Sequence, residues 1–201
     1  KVSEILNTID ASNKENPGQT TSYNVVNADG RSALSLATGN GHHKVVSLLL
    51  EHPDIDKNSG DELGLTSLHY ACSTICVTPA YKWHNPRKLQ DILNEFVKNA
   101  EVDPNRPSID GDTPLLHAAS TGNIFVVNSL LSMPNIEVNQ ANHKGVTPLI
   151  IACQYSHSSV VDALMRQEDI DANKADKIGR CPLHVAYTIA IGSLSMTKVI
   201  K

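Results

Sequence analysis

The chain has 201 residues, a net charge of −4 and only eight aromatic side chains. The negative balance gives no sequence-independent pull on a phosphate backbone and so few rings make no stacking platform, so a nucleic-acid partner is disfavoured. Four cysteines without a disulfide-framework spacing fit a reducing compartment, and no apolar run approaches the ~18 residues of a spanning helix, so no membrane is expected.

From the N-terminus, Val2 to Ile9 reads as the second helix of an incomplete unit and Asp10 to Thr20 as a flexible polar loop. A string then recurs in altered copies: GRSALSLATGNGH from Gly30, GLTSLHYACSTIC from Gly64, GDTPLLHAASTGN from Gly111, GVTPLIIACQYSH from Gly145 and GRCPLHVAYTIAI from Gly179. The glycines are spaced 34, 47, 34 and 34 residues apart, and Asn24, Asn58, Asn105, Asn139 and Asn173 keep the same rhythm six residues before each. Self-similarity at a fixed period marks supersecondary units that bury their apolar faces only by stacking.

Within a unit, the glycine sits at a tight turn that asks for positive φ. Ser32, Thr66, Thr113 and Thr147 read as N-caps, with Pro114 and Pro148 at the first helical position, where the missing N–H costs nothing. Cys181 replaces the hydroxyl in the last copy and predicts a weaker helix start. Leu34, Leu68, Leu115, Leu149 and Leu183 are expected to face inward, and Ala37, Ala71, Ala118, Ala152 and Ala186 to let neighbouring helices approach. Second helices carry core stripes: Val45, Val46, Leu49 and Leu50; Val126, Val127, Leu130 and Leu131; Val160, Val161, Leu164 and Met165. Gly41 is expected to end a first helix as a C-cap. The longer period carries 13 extra residues within Cys76 to Lys88, including Tyr81 and the single tryptophan, Trp83. At the far end Gly192-Ser193 interrupts the helix pair and no polar cap follows, so further repeats or a partner are expected to cover the open face.

These residues resemble the ankyrin-repeat family, whose signature joins a turn glycine, a Thr-Pro-Leu-His-x-Ala helix start, Val-Val and Leu-Leu in a second helix, and a closing Asn; the likeness runs from Ile55 to Val185 and extends more weakly to the ends. The resemblance implies an all-α solenoid of helix-turn-helix units joined by short β-hairpin loops. One domain over 1–201 is expected: a partial unit at 1–24, repeats at 25–58, 59–105, 106–139 and 140–173, and an irregular last unit at 174–201. The implied function is a non-catalytic protein-binding scaffold without cofactor, monomeric and cytoplasmic, with nucleus or host cytosol as alternatives. The second reading is a targeting or substrate-recognition domain of a larger enzyme or of a host-directed effector. A chain that starts at Lys is expected of a region taken from a longer protein.

Several runs have the residue types of chemical sites. Asp54-x-Asp56-x-Asn58-Ser-Gly60 opens like a calcium loop, but Ser59 and Leu65 stand where Gly and Glu are required, and the stretch aligns with ordinary hairpin arms. His69, Cys72, Cys76 and His84 offer four zinc-type ligands; His69, however, matches the family's helix-start histidine, and Cys72 and Cys153 occupy the small slot of Ala119. Cys181 and His184 pair like a nucleophile and base without a third orienting group. Gly39-Asn-Gly41-His-His-Lys44 lacks the spacing and hydroxyl of a phosphate loop. Each is read as structural: no catalytic residue, no metal ligand.

Function then falls to positions that vary between copies. The resemblance implies binding by hairpin tips and first-helix ends: Asp29, Arg31 and Asn40; Glu62, Leu65 and Thr74; Asp110, Asp112 and Thr121; His143, Lys144, Val146 and Tyr155; Lys177 and Arg180, with Tyr81 and Trp83 added from the insertion. In sequence order the tips pass from acidic (Asp61, Glu62, Asp110, Asp112) to basic (His143, Lys144, Lys174, Lys177, Arg180), which suggests a bipolar groove that orients a partner.

Overall fold

The computed structural model describes residue 4, residues 23–73 and residues 86–189. The expectations for Val2–Ile9, for the loop at Asp10–Thr20, for most of the insertion and for the chain beyond Ile189 lie outside them. The described residues pack as two units, 23–71 with 86–102 and 72–73 with 103–189.

The first unit holds α1 (Ala33–Gly39), α2 (His43–Glu51), α3 (Ser67–Cys72, less its last residue) and α4 (Pro86–Lys98), with α2 packed on α1 and on α4. The second holds α5 (Pro114–Thr121), α6 (Ile124–Leu131), α7 (Pro148–Gln154), α8 (Ser158–Met165) and α9 (182–189). Here α5 packs on α6 and α7, and α8 on α7 and α6, the nearest-neighbour scheme of stacked helix pairs. Helices with isolated bridges at the turns make this the all-α repeat architecture the sequence implies.

The local causes are those the sequence suggests. Ser32, Thr113 and Thr147 accept the N–H three residues on, each at 3.2 Å, and Pro114 and Pro148 open α5 and α7. Leu34, Leu68, Leu115 and Leu149 are buried, as are Val46, Leu49, Leu50, Val126, Val127, Leu130, Val160 and Leu164. In α4 the core stripe is Leu89, Ile92, Leu93 and Phe96, with Ile92 and Leu93 standing 47 residues after Val45 and Val46, the spacing of Gly64 and Gly111. Four expectations change. Leu183 is 75% exposed, whereas its counterparts Leu34, Leu68, Leu115 and Leu149 are buried. Met165 is half exposed at the last turn of α8, Val45, Leu131 and Val161 are only half-buried, and Cys153, unlike Cys72 and Ala119, is half-buried too.

The turns are more specified than a glycine alone requires. In every copy the residue three before the glycine opens the turn and its side-chain oxygen accepts the N–H groups two and four residues on. Asn27 does this at 3.0 and 2.9 Å, Asp61 at 2.9 and 2.9 Å, Ser108 at 3.3 and 3.2 Å, Asn142 at 2.9 and 3.0 Å, and Asp176 at 3.1 and 2.9 Å. The regular asparagines join consecutive copies. Asn24 donates to the carbonyl of Asp54 and accepts from Asp56 N–H, while Asn105 and Asn139 repeat both bonds on Asn135 and Glu137 and on Asp169 and Asp171.

The chemical look-alikes resolve into such scaffolding. Asp56 spends an oxygen on Asn58 N–H, and between Asp56 and Asn58 the buried Lys57 donates to the carbonyl of His52 and pairs with Glu101. His69 Nδ1 accepts from Thr66 N–H at 3.1 Å and lies 2.9 Å from Thr66 Oγ1. Complete burial pushes the Cys72 thiol far above its usual range, disfavouring the thiolate that a metal needs; Cys76 and His84 lie outside the described residues. Cys181 and His184 reproduce the Thr66–His69 pair, with Sγ at 3.2 Å and Cys181 N–H at 3.4 Å from Nδ1. This contact is therefore a helix start, and a poor one, since sulfur is a weak hydrogen-bonding partner. Cys181→Thr is expected to gain about 0.5–1 kcal/mol, read as a higher melting temperature; an unchanged or lower one would remove the capping argument.

Candidate functional site

In the first unit the tip residues Asp29 and Glu62 are exposed and are tied through their backbones, Glu62 N–H donating to the carbonyl of Asp29 at 3.4 Å. The Arg31 guanidinium lies over the Tyr70 ring, 5.3 Å from its centroid, while the Tyr70 hydroxyl donates to Asp61. Burial, reinforced by the Asp61 carboxylate, holds that phenol above its usual range, so it remains a donor. Two candidates are partly consumed by the scaffold: Asn40 caps α1 through Leu36 carbonyl at 2.7 Å, and Leu65 is half-buried with its N–H on Asp61. Thr74, Tyr81 and Trp83 lie outside the described residues.

The second unit brings candidates together. A cleft of about 690 Å³ is lined by Asp112, His143, Lys144, Val146, Tyr155, Lys177 and Arg180, all singled out from the sequence. Also lining it are Leu116, His117, Ser120, Asn142, Ile151, Gln154, Asp176 and Ile178. Most are the same few repeat positions occupied differently: Asp112, Val146 and Arg180 stand 34 residues apart, as do His143 and Lys177, His117 and Ile151, Ser120 and Gln154. The tips are held in register by His143 N–H on Asp110 carbonyl and Lys177 N–H on Lys144 carbonyl, both 3.0 Å. Val146 differs from the exposed contact expected of it, because it is buried with Ile150 and Val185 in a small core cluster. Thr121 spends its hydroxyl on Ala118 carbonyl, and Asp110, though exposed, does not line the cleft.

The charges in the cleft are unequal in freedom. Asp112 accepts from Asn142 Nδ2 at 2.7 Å. Asp176 accepts two turn N–H groups on one oxygen and the Arg180 guanidinium on the other. Burial opposes its ionisation, but the Arg180 and Ile178 donors outweigh that and hold its carboxyl below the usual range. Burial lowers the His117 pKa against the pull of Asp112, so this imidazole is neutral near neutral pH. Of the acidic tip residues, Asp112 lines the same cleft as the basic Lys144 and Lys177.

What sequence reasoning missed here is Leu116, His117 and Ile151 on the helices, and Asn142 and Asp176 in the turns. The turn residues had a readable signal, since Asn27, Asp61, Ser108, Asn142 and Asp176 all stand three before a glycine. His117 stands one place after the position shared by His69 and His184, and no periodic signal marks it.

Stacked helix pairs with interlocked turns and no strands beyond isolated bridges among the described residues define an α-helical repeat protein. The ankyrin family profile, described as "Ankyrin repeats (3 copies)", matches residues 3–78, 83–176 and 125–199. The chain belongs to the ankyrin-repeat family. It is 35% identical over 112 residues to human "SMC5-SMC6 complex localization factor protein 1", covering 54% of this chain and 9% of that protein. The bovine protein of the same name is 36% identical over 124 residues, covering 59% and 10%. "Ankyrin repeat-containing protein C6C3.08" of Schizosaccharomyces pombe is 29% identical over 110 residues, covering 54% and 42%. The chain thus spans under half the length of each of these relatives. Repeats of this family generally mediate protein–protein interaction, and among the described residues no helix is long and apolar enough to cross a membrane.

Proposed function

We propose that this chain is a non-catalytic protein-interaction module whose second unit grips a segment of a protein partner in the cleft between its tips and first helices. The observation that carries this reading is the division of labour along the repeat. The shared glycine, cap and leucine positions are spent on turns, caps and core. Most of the cleft lining, apart from the turn residues Asn142 and Asp176 and the buried Leu116 and Val146, stands instead at positions that hold a different side chain in each copy. The first-unit tip residues Asp29, Arg31 and Glu62, and Tyr81 and Trp83 of the insertion, are proposed as further partner contacts. We further propose one repeat domain, acting as a monomer without cofactor in a reducing compartment. The free thiols of Cys72, Cys153 and Cys181 support that compartment.

A second reading makes the repeats the targeting segment of a larger protein. It is favoured by the human and bovine matches, which cover 9% and 10% of proteins named as localization factors for a complex. Both readings place binding in the same cleft. Affinity capture with the natural chain and with Lys144→Ala/Tyr155→Ala is expected to give one or more proteins lost only from the variant. Identical captured sets, with the variant melting as the natural chain does, would refute the proposed surface.

A further inference from the structure

We infer that the partner segment held by the second unit is acidic, with an apolar side chain among its carboxylates; this rests on the protein-binding reading above. Several charges in the cleft are already answered from within the chain. Both Asp176 oxygens are occupied, one by turn N–H groups and the other by Arg180 at 2.8 Å, so that carboxylate and that guanidinium compensate each other. Asp112 is engaged by Asn142. Lys144 and Lys177 are exposed and make no side-chain hydrogen bond or ion pair with any described residue, and His117 adds no positive charge near neutral pH. The cleft therefore offers two unanswered ammonium groups against one engaged carboxylate, in a chain whose net charge is −4. A local field opposite in sign to the rest of the molecule selects an acidic ligand and speeds its approach.

The apolar part of the lining sets the second requirement. Ile178 is 74% exposed, Tyr155 is half exposed against His157 and Ile151 is half-buried, whereas Leu116 and Val146, which also line the cleft, are buried. A purely polyanionic ligand would leave that surface wet, whereas one Leu- or Phe-sized side chain flanked by carboxylates would use both features.

The test uses the full 201-residue chain and fluorescein-labelled synthetic peptides followed by anisotropy. One peptide alternates Glu with Leu, a second has every Glu replaced by Gln, and a single-stranded DNA of equal charge serves as a third probe. The acidic peptide is expected to bind about tenfold or more tightly than the Gln peptide, to weaken as salt rises, and to lose about tenfold with Lys144→Glu/Lys177→Glu. Lys144→Gln/Lys177→Gln gives a smaller loss and guards against misfolding, which circular dichroism checks. Absent binding of the acidic peptide, equal binding of the Gln peptide or of the DNA, or indifference to both lysine variants would each overturn the inference. If the Gln peptide binds equally and Tyr155→Ala weakens it, the acidic class falls while the protein-binding cleft stands.

Discussion

Ile150→Ala is expected to remove about 2–5 kcal/mol of stability, the range for truncating a fully buried aliphatic side chain whose surroundings collapse only in part. Ile150 is fully buried, packs with Val146 and Val185, and is covered by Ile151 and Cys153. Ile178 gives the contrast. It has the same side chain but is 74% exposed at a tip, so Ile178→Ala should stay within about 0.5 kcal/mol of the natural chain. Urea titration followed by circular dichroism separates them. Because Val146 lines the cleft as well as the cluster, Ile150→Ala should also weaken ligand binding, whereas Ile178→Ala should weaken binding alone. Equal stability losses would mean that the cluster is not the core assigned here.

The second large effect concerns the turns. Gly145 has φ +78°, and a Cβ there would meet the Lys177 backbone N at 2.7 Å and Asp176 Cα at 3.0 Å. Gly179 has the same left-handed backbone, φ +83°, but a Cβ there would meet nothing within 4 Å. Gly179→Ala should therefore cost only the left-handed penalty of about 1–2 kcal/mol. Gly145→Ala should cost that and more, since the following turn must shift and the hydrogen bond from Lys177 N–H to Lys144 carbonyl is broken or stretched. The difference between the two, measured as unfolding midpoints, reports how tightly one repeat's turn rests on the next. If both variants melt alike, the close approach does not contribute.

The fold was legible because the period lets one position be read five times. A single Thr-Pro is a weak signal, but Thr113-Pro114 and Thr147-Pro148 in register with Ser32 and Thr66 specify a helix start, and those starts are present. The glycine column likewise announces its backbone, with φ between 73 and 83° at Gly30, Gly64, Gly111, Gly145 and Gly179. The binding surface was less legible for the complementary reason. Asp112, Val146 and Arg180 share one repeat position yet are half-buried, buried and exposed, because what each side chain meets depends on the neighbouring copy. Arg31 resting on Tyr70 of the next copy, and Tyr70 bonded to Asp61, are pairings that no column announces. Leu183 matches its column and is nevertheless exposed, so the column alone does not set burial.

The central claim is that shared positions hold the array together while unshared ones bind. Asn139 and Lys144 test it in a single comparison of melting temperature and acidic-peptide affinity. Asn139 bonds the Asp169 carbonyl and the Asp171 N–H, whereas the Lys144 side chain has no partner among the described residues. Asn139→Ala is expected to lower the melting temperature and leave the affinity of the folded fraction unchanged; Lys144→Glu is expected to do the reverse. A Lys144→Glu chain that melts lower but binds as before would contradict the account.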